Sequence, residues 1–183
     1  MKQKAVLMDS AAMARAITRI AHEIIEKNKG ATNLALVGVR RRGVPMAERI
    51  AAKIQEIEGV TVPVGNMDIS FYRDDLSRIR QQPVVNDDEI GVPVDGAAVV
   101  LVDDVIYTGR TVRAAIEGIF HHGRPANIRL AILIDRGLRE LPFRSDFVGK
   151  NIPTSHSEMI QVHFSEIDGE DCVSIWSLED ENA

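Results

Sequence analysis

Val99–Ala115 reads VVLVDDVIYTGRTVRAA. An apolar run ends on two adjacent acids, Asp103 and Asp104, and the turn Thr108-Gly109-Arg110-Thr111 follows. The run predicts a buried strand, AVVLVDD at 98–104, and the spacing after the turn predicts a helix from about Thr111 to His121. A strand that feeds a helix through a small-residue turn is the building unit of a parallel sheet.

The pattern repeats on either side. LALVGV (34–39) and IRLAILID (128–135) are further apolar runs of strand length. RRRG leads from the first of them into a second helix at roughly 44–57. Met13, Ile17, Ile20 and Ile24 repeat at helical spacing across 10–28, with Ser10 as the expected cap. VGNMDISFY (64–72), MIQVHF (159–164) and VSIW (173–176) read as additional strands. The fold class expected is α/β, a mostly parallel sheet flanked by helices. Ligands of such sheets bind outside the carboxyl ends of the strands. Three strand ends there carry polar residues and are expected to converge: Arg40–Gly43, Asp103–Thr111 and Asp135–Gly137. Residues 73–96 are polar, contain two prolines and lack periodicity, which marks either disorder or a long functional loop.

Composition narrows the class. The chain has 183 residues, room for one domain with a full core. No apolar stretch approaches the ~18 residues that span a membrane, and MKQKAVLMDSAAMARAI does not read as a signal peptide. Cys172 is the single cysteine, so it forms no internal disulfide and reads as a small hydrophobe near a C-terminal strand. A cytoplasmic location is expected from these features. The net charge of -5 argues against broad, non-specific nucleic-acid binding. Seven acids and no Lys or Arg lie from Glu166 onward, and the remainder carries 22 basic against 20 acidic residues. Local basic patches are therefore available. His121 and His122, adjacent on a helix, point to different faces and make a poor metal site.

The turn after the acids has a definite chemistry. A helix N-terminus presents unpaired N–H groups and partial positive charge to an anion. Gly109 lets the backbone come close, and Thr108 and Thr111 add hydroxyls. Neither GxxxxGK[ST] nor GxGxxG occurs in the chain. The turn therefore reads as a monophosphate cradle. Two ionised carboxylates are acceptors only, and a sugar diol offers two donors. Paired acids beside a phosphate cradle fit a ribose 5-phosphate.

VVLVDDVIYTGRT resembles the 13-residue phosphoribosyl-pyrophosphate (PRPP) signature of the type I phosphoribosyltransferase family. Nearly end to end, the chain is similar to one branch of that family, the pyrimidine-operon regulators that are also uracil phosphoribosyltransferases. TRIAHEIIEKNKG, FYRDDLS and above all DRGLRELPFRSDFVGKNIPTS carry this closer resemblance. It implies the type I fold in a single domain over 1–183, with a small C-terminal hood from about 138 to 183 joined by neighbouring strands, and a mobile loop at about 73–96. It implies the reaction of uracil with PRPP to give UMP and pyrophosphate, with Mg2+ arriving on PRPP. Asp103 and Asp104 would hold the ribose hydroxyls and stabilise positive charge developing on the ring. Arg41, Arg42 and Gly43, in VRRRG, match the pyrophosphate loop, and Val105, Ile106, Tyr107, Thr108, Gly109, Arg110 and Thr111 the phosphate-binding segment. Arg78 or Arg80 would reach the pyrophosphate on loop closure, and Arg136 and Ile160 would lie near uracil. Purine-specific relatives carry an acid where this chain has Tyr107, which with a pKa of about 10 is a poor base.

The same resemblance implies UMP-dependent binding to operon leader mRNA, favouring transcription termination. The residues that match are Thr18, His22, Arg139, Arg144 and Lys150. Leu138 departs from the pattern, replacing a polar histidine. A homodimer or higher homo-oligomer is implied as well. Two other readings stay open: a salvage phosphoribosyltransferase with no RNA role, and a regulator with negligible turnover.

Overall fold

The computed structural model describes residues 1–69 and 90–178. Among them the order is β1 (Lys2–Met8), α1 (Ser10–Asn28), β2 (Leu34–Val39), α2 (Gly43–Glu58), β3 (Val64–Met67), β4 (Ala98–Ile106), α3 (Arg110–His122), β5 (Asn127–Asp135), β6 (Phe147–Asn151), β7 (Glu158–His163), α4 (Ser165–Asp168) and β8 (Cys172–Ser177). A five-stranded parallel sheet has the order β3-β2-β4-β5-β6. A second, antiparallel sheet has the order β1-β8-β7.

Every residue of β2 is buried, because the parallel sheet is covered on both faces. Strand alternation divides its side chains between two cores. Leu34 and Leu36 of β2 and Val100 and Val102 of β4 pack with the apolar stripes of α1 and α2. Ala35, Val37, Val99 and Leu101 face the other way, toward Val112, Ala115 and Ile119 of α3. Ile160, Val162, Phe164 and Val173 join the first core, so the small sheet packs on the side of α1 and α2. No helix among the described residues is long and apolar enough to cross a membrane.

Several expectations change. β4 continues two residues past the aspartates, to Ile106, so the acids lie within the strand rather than at its tip. Asp9, not Ser10, caps α1: its carboxylate accepts from the Ala12 N–H at 2.7 Å. The strand expected over 64–72 ends at Met67. β1 and β6 were not legible as strands. β6 lies in the main sheet although 138–183 was expected to build the hood, and the small sheet is made of β1, β7 and β8. Residues 73–89 of the expected loop, with Arg78 and Arg80, lie outside the described residues. Its last part, 90–96, is packed: Ile90, Val92 and Val94 belong to the second core, and the Ile90 carbonyl accepts from Asn66 N–H at 3.1 Å.

The Asp9→Ala variant should lose about 1 kcal/mol of stability, the usual cost of an N-cap. Urea denaturation followed by circular dichroism measures it, and an unchanged midpoint would remove the cap from the account.

Candidate functional site

The three strand ends meet around the acids. β2 pairs with β4 only as far as Gly38 opposite Val102, which leaves that flank of β4 open beside Asp103. The start of α2 fills it. A Cβ on Gly43 would lie 2.4 Å from the Val102 carbonyl oxygen and 3.3 Å from Asp103 Cα. Only glycine lets the Arg40–Arg42 loop approach the acids this closely. The Arg40–Arg41 peptide bond in that loop is cis. On the opposite flank, Arg136 N–H donates to the Ile106 carbonyl at 3.2 Å.

Asp103 is 7% exposed and Asp104 half-buried. Asp104 N–H donates to Asp103 Oδ1 at 2.9 Å. Burial, and then the neighbouring Asp104, push the Asp103 carboxyl well above the usual carboxylate range. Burial also raises Asp104, and the nearby Arg42 charge is among the influences opposing it. The site is thus short of positive charge and donors, which a cationic or hydroxyl-rich ligand supplies.

Arg42 is held by a residue that sequence reading missed. Its guanidinium makes a two-pronged pair with Asp168 of α4, Nη2 to Oδ1 at 2.8 Å and Nε to Oδ2 at 3.2 Å. The pair raises Arg42 and lowers Asp168 from their ordinary values. One helical turn and more into α2, Arg49 bonds Glu166 and Asp171, each at 2.7 Å, and lies over the Phe164 ring. Three of the seven terminal acids therefore clamp two arginines instead of forming a solvated tail. Nothing in their spacing signals this, since the partners are more than 110 residues away. Arg41 is exposed.

Gly109, at φ 93°, caps α3 with no side-chain acceptor. A helix start of this kind turns its backbone N–H groups toward an incoming anion. A Cβ on Gly109 would also press on Phe143 and Leu141, at 3.1 and 3.3 Å. Thr108 Oγ1 accepts weakly from Arg110 N–H at 3.4 Å, and Arg110 pairs with Glu140 at 2.7 Å. Val105 is half-buried and Ile106 buried, with Thr111 half-buried on the first turn of α3. The Tyr107 hydroxyl meets His156 Nδ1 at 3.2 Å, and the Arg136 guanidinium lies over the Tyr107 ring at 4.1 Å.

Arg136 is buried and donates to Thr154 Oγ1 and to the Ser155 and Glu158 carbonyls at 2.8–3.0 Å. Its own N–H and C=O are engaged with Ile106 and Thr154. Ile160 is buried in β7. Arg139 is likewise committed to its own chain. It donates to the carbonyls of Ile106, Tyr107, Gly137 and Phe143 and pairs with Asp135.

Thr18 and His22 lie on α1 beside a groove of about 450 Å3 lined by Ala14, Arg15, Thr18, Arg19 and His22. Arg19 spans from this helix to β6, donating to the Val148 carbonyl at 2.9 Å. That links the groove to the strand carrying Lys150, whose amine reaches the Leu7 carbonyl at 3.1 Å. Arg144 is exposed three residues before β6.

Residues 5–166 match the phosphoribosyl transferase domain family. Two curated relatives are each named bifunctional protein PyrR. That of Clostridium acetobutylicum is 60% identical over 97% of this chain and 100% of its own length. That of Acetivibrio thermocellus is 58% identical over 98% and 97%. Among solved structures, the hypoxanthine phosphoribosyltransferase of Trypanosoma cruzi superposes with a TM-score of 0.72 at 20% identity, over 97% of this chain and 98% of that one. At that identity the likeness is one of fold.

Because Asp103 binds protons more readily folded than unfolded, its contribution to stability is present below the unfolded value of about 4 and lost as pH rises through the raised folded value. Asp103→Asn, which keeps the acceptor for Asp104 N–H, should therefore raise Tm at pH 7 and narrow the gap at pH 4. Thermal denaturation at both pH values decides; a lower Tm at pH 7 would contradict the electrostatic account.

Proposed function

Since the chain belongs to the phosphoribosyl transferase family, and within it to the bifunctional PyrR proteins, we propose that it converts uracil and PRPP to UMP and pyrophosphate, and binds operon leader RNA when UMP is bound. The observation that carries the reading is the contact of Gly43 with Val102 and Asp103. It sets an arginine loop against buried Asp103 and half-buried Asp104, on the strand that runs into the Thr108–Thr111 turn.

In the reaction the bond from C1 of the ribose to pyrophosphate breaks, the bond from C1 to uracil nitrogen forms, and the proton on that nitrogen passes to the leaving pyrophosphate. Positive charge develops on the sugar ring in between. Asp103 and Asp104 accept the ribose hydroxyls and stabilise that charge from a site that excludes most water. Thr108, Gly109, Arg110 and Thr111 hold the 5-phosphate at the start of α3. Arg41 and Arg42 receive the leaving pyrophosphate, and the Asp168 pair keeps the Arg42 fork oriented. The two carboxylates also suit Mg2+, a hard cation that takes carboxylate and phosphate oxygens; bound with PRPP it would offset the pyrophosphate charge. Tyr107, stacked under Arg136 and bonded to His156, serves to pack and orient rather than as a base. With Ile160 it lines the side where uracil would bind, and Arg136 shapes that side by holding 154–158.

For RNA, the α1 groove with Thr18 and His22, Lys150 beside it and exposed Arg144 form the surface. Such a modest polar and basic surface suits exposed loop bases better than a duplex. Arg139 positions this segment through its five acceptors. The regulator works as a homodimer or higher homo-oligomer in the cytoplasm.

Two variants separate the activities. Asp104→Asn should fold normally and lose at least a hundredfold in UMP formation; wild-type turnover would sink the ribose role. Arg144→Glu should keep catalysis yet abolish the UMP-dependent affinity for leader RNA, measured at fixed salt because phosphate contacts are salt-sensitive. Parallel loss of both activities, or undiminished RNA binding, would overturn the second assignment.

A further inference from the structure

The hairpin that joins β7 to β8 carries a cluster with no part in the proposed reaction. His163 ends β7 and Cys172 begins β8, and the two are direct partners across the antiparallel pair. Side chains so placed stand on one face of the sheet with Cβ atoms about 5 Å apart. Glu170, from the connecting turn, brings its Oε1 to 3.2 Å from His163 Nδ1. One ligand atom from each of the three residues lies within 4.8 Å of the other two.

We infer that His163, Glu170 and Cys172 form a binding site for a zinc-like divalent cation on the hood. Zinc takes sulfur at about 2.3 Å and nitrogen or oxygen at about 2.0–2.2 Å, which in a tetrahedron sets neighbouring ligands roughly 3.4–3.7 Å apart. The His163 and Glu170 atoms already stand close to that spacing, and the sulfur needs about one ångström of adjustment. The ligand set decides the class of ion. Thiolate and imidazole select zinc and its neighbours, whereas Mg2+ and Ca2+ call for oxygen donors throughout. Three protein ligands leave a fourth position for water. The Glu170 side chain is 65% exposed and already turned to His163, while the backbones of His163 and Cys172 are held opposite each other by strand pairing.

The position gives the ion a task. The turn between the two strands, 164–171, holds Asp168 on Arg42 and both Glu166 and Asp171 on Arg49. A metal across its base closes this turn as a disulfide would close a loop, and steadies the carboxylates that grip those arginines.

The test uses the full chain without an affinity tag, stripped with a chelator and titrated with Zn2+ against a chromophoric competitor, then with Co2+ as a spectroscopic probe. One ion per chain is expected, with a thiolate-to-Co2+ charge-transfer band and a rise in Tm. Cys172→Ser should abolish the band, and both it and His163→Gln should weaken binding at least tenfold and remove the Tm rise. Should Cys172→Ser fail to fold, His163→Gln and Glu170→Gln carry the comparison. Absence of binding, absence of the band, or equal binding by wild type and His163→Gln would overturn the site. None of these readings depends on UMP formation, so the inference fails or stands apart from the proposed reaction.

Discussion

Two like charges held side by side where water is scarce are costly, and Asp103 and Asp104 impose that cost on β4. A hydrophobic strand end in their place would be the more stable choice. The surrounding structure offsets part of the cost. β4 extends past the acids so that β5 still pairs with it there, Asp103 opposite Ile132 and Ile106 opposite Asp135. Gly43 then lets the backbone of the next layer touch the strand at Val102 and Asp103. Arg42, the residue before Gly43, lends positive charge to Asp104. What is left uncompensated is the capacity to bind a donor-rich, charge-developing ligand.

An arginine placed beside two carboxylates would collapse onto them unless something else held it. Asp168 does so from the far end of the chain, with two hydrogen bonds of good length. The same turn secures Arg49 on α2 through Glu166, Asp171 and the Phe164 ring. Such partly buried, two-pronged pairs hold orientation better than exposed ones. The small sheet is consequently more than a cover: its turn fixes the loop that faces the acids.

The parallel sheet was legible because its strands are buried on both faces and read as unbroken apolar runs. LALVGV and AVVLVDD needed no context. β6 was not, since FVGKN mixes Lys and Gly with two apolar residues and gains its place from β5 and from Arg19 of α1. β1 failed for a similar reason: KQKAVLM is exposed along most of its length, so no apolar period marks it. The acids and the phosphate turn stood out because their chemistry is local, four residues apart. Asp168 and His156 did not, because each matters only through a partner distant in sequence. An acid counted in a charged tail looks like any other until the fold brings Arg42 to it.

Segment 136–143 shows how one stretch can serve both proposed activities. Glu140 and Leu141 N–H groups both donate to the Thr108 carbonyl at 3.0 Å, and Arg139 takes the carbonyls of Ile106 and Tyr107. The outer wall of the phosphate turn is therefore fastened to the chain that leads to Arg144. Phe143 completes the contact by packing on Gly109, at a distance where a larger residue would force the two apart. A nucleotide held at Thr108–Thr111, as proposed, would touch a turn already fastened to this wall by those hydrogen bonds. The route from phosphate to Arg144 needs no long relay: it is four bonds to neighbouring backbone and one aromatic contact. Under the proposed function, this bracing is the physical link between the nucleotide and the RNA-facing segment.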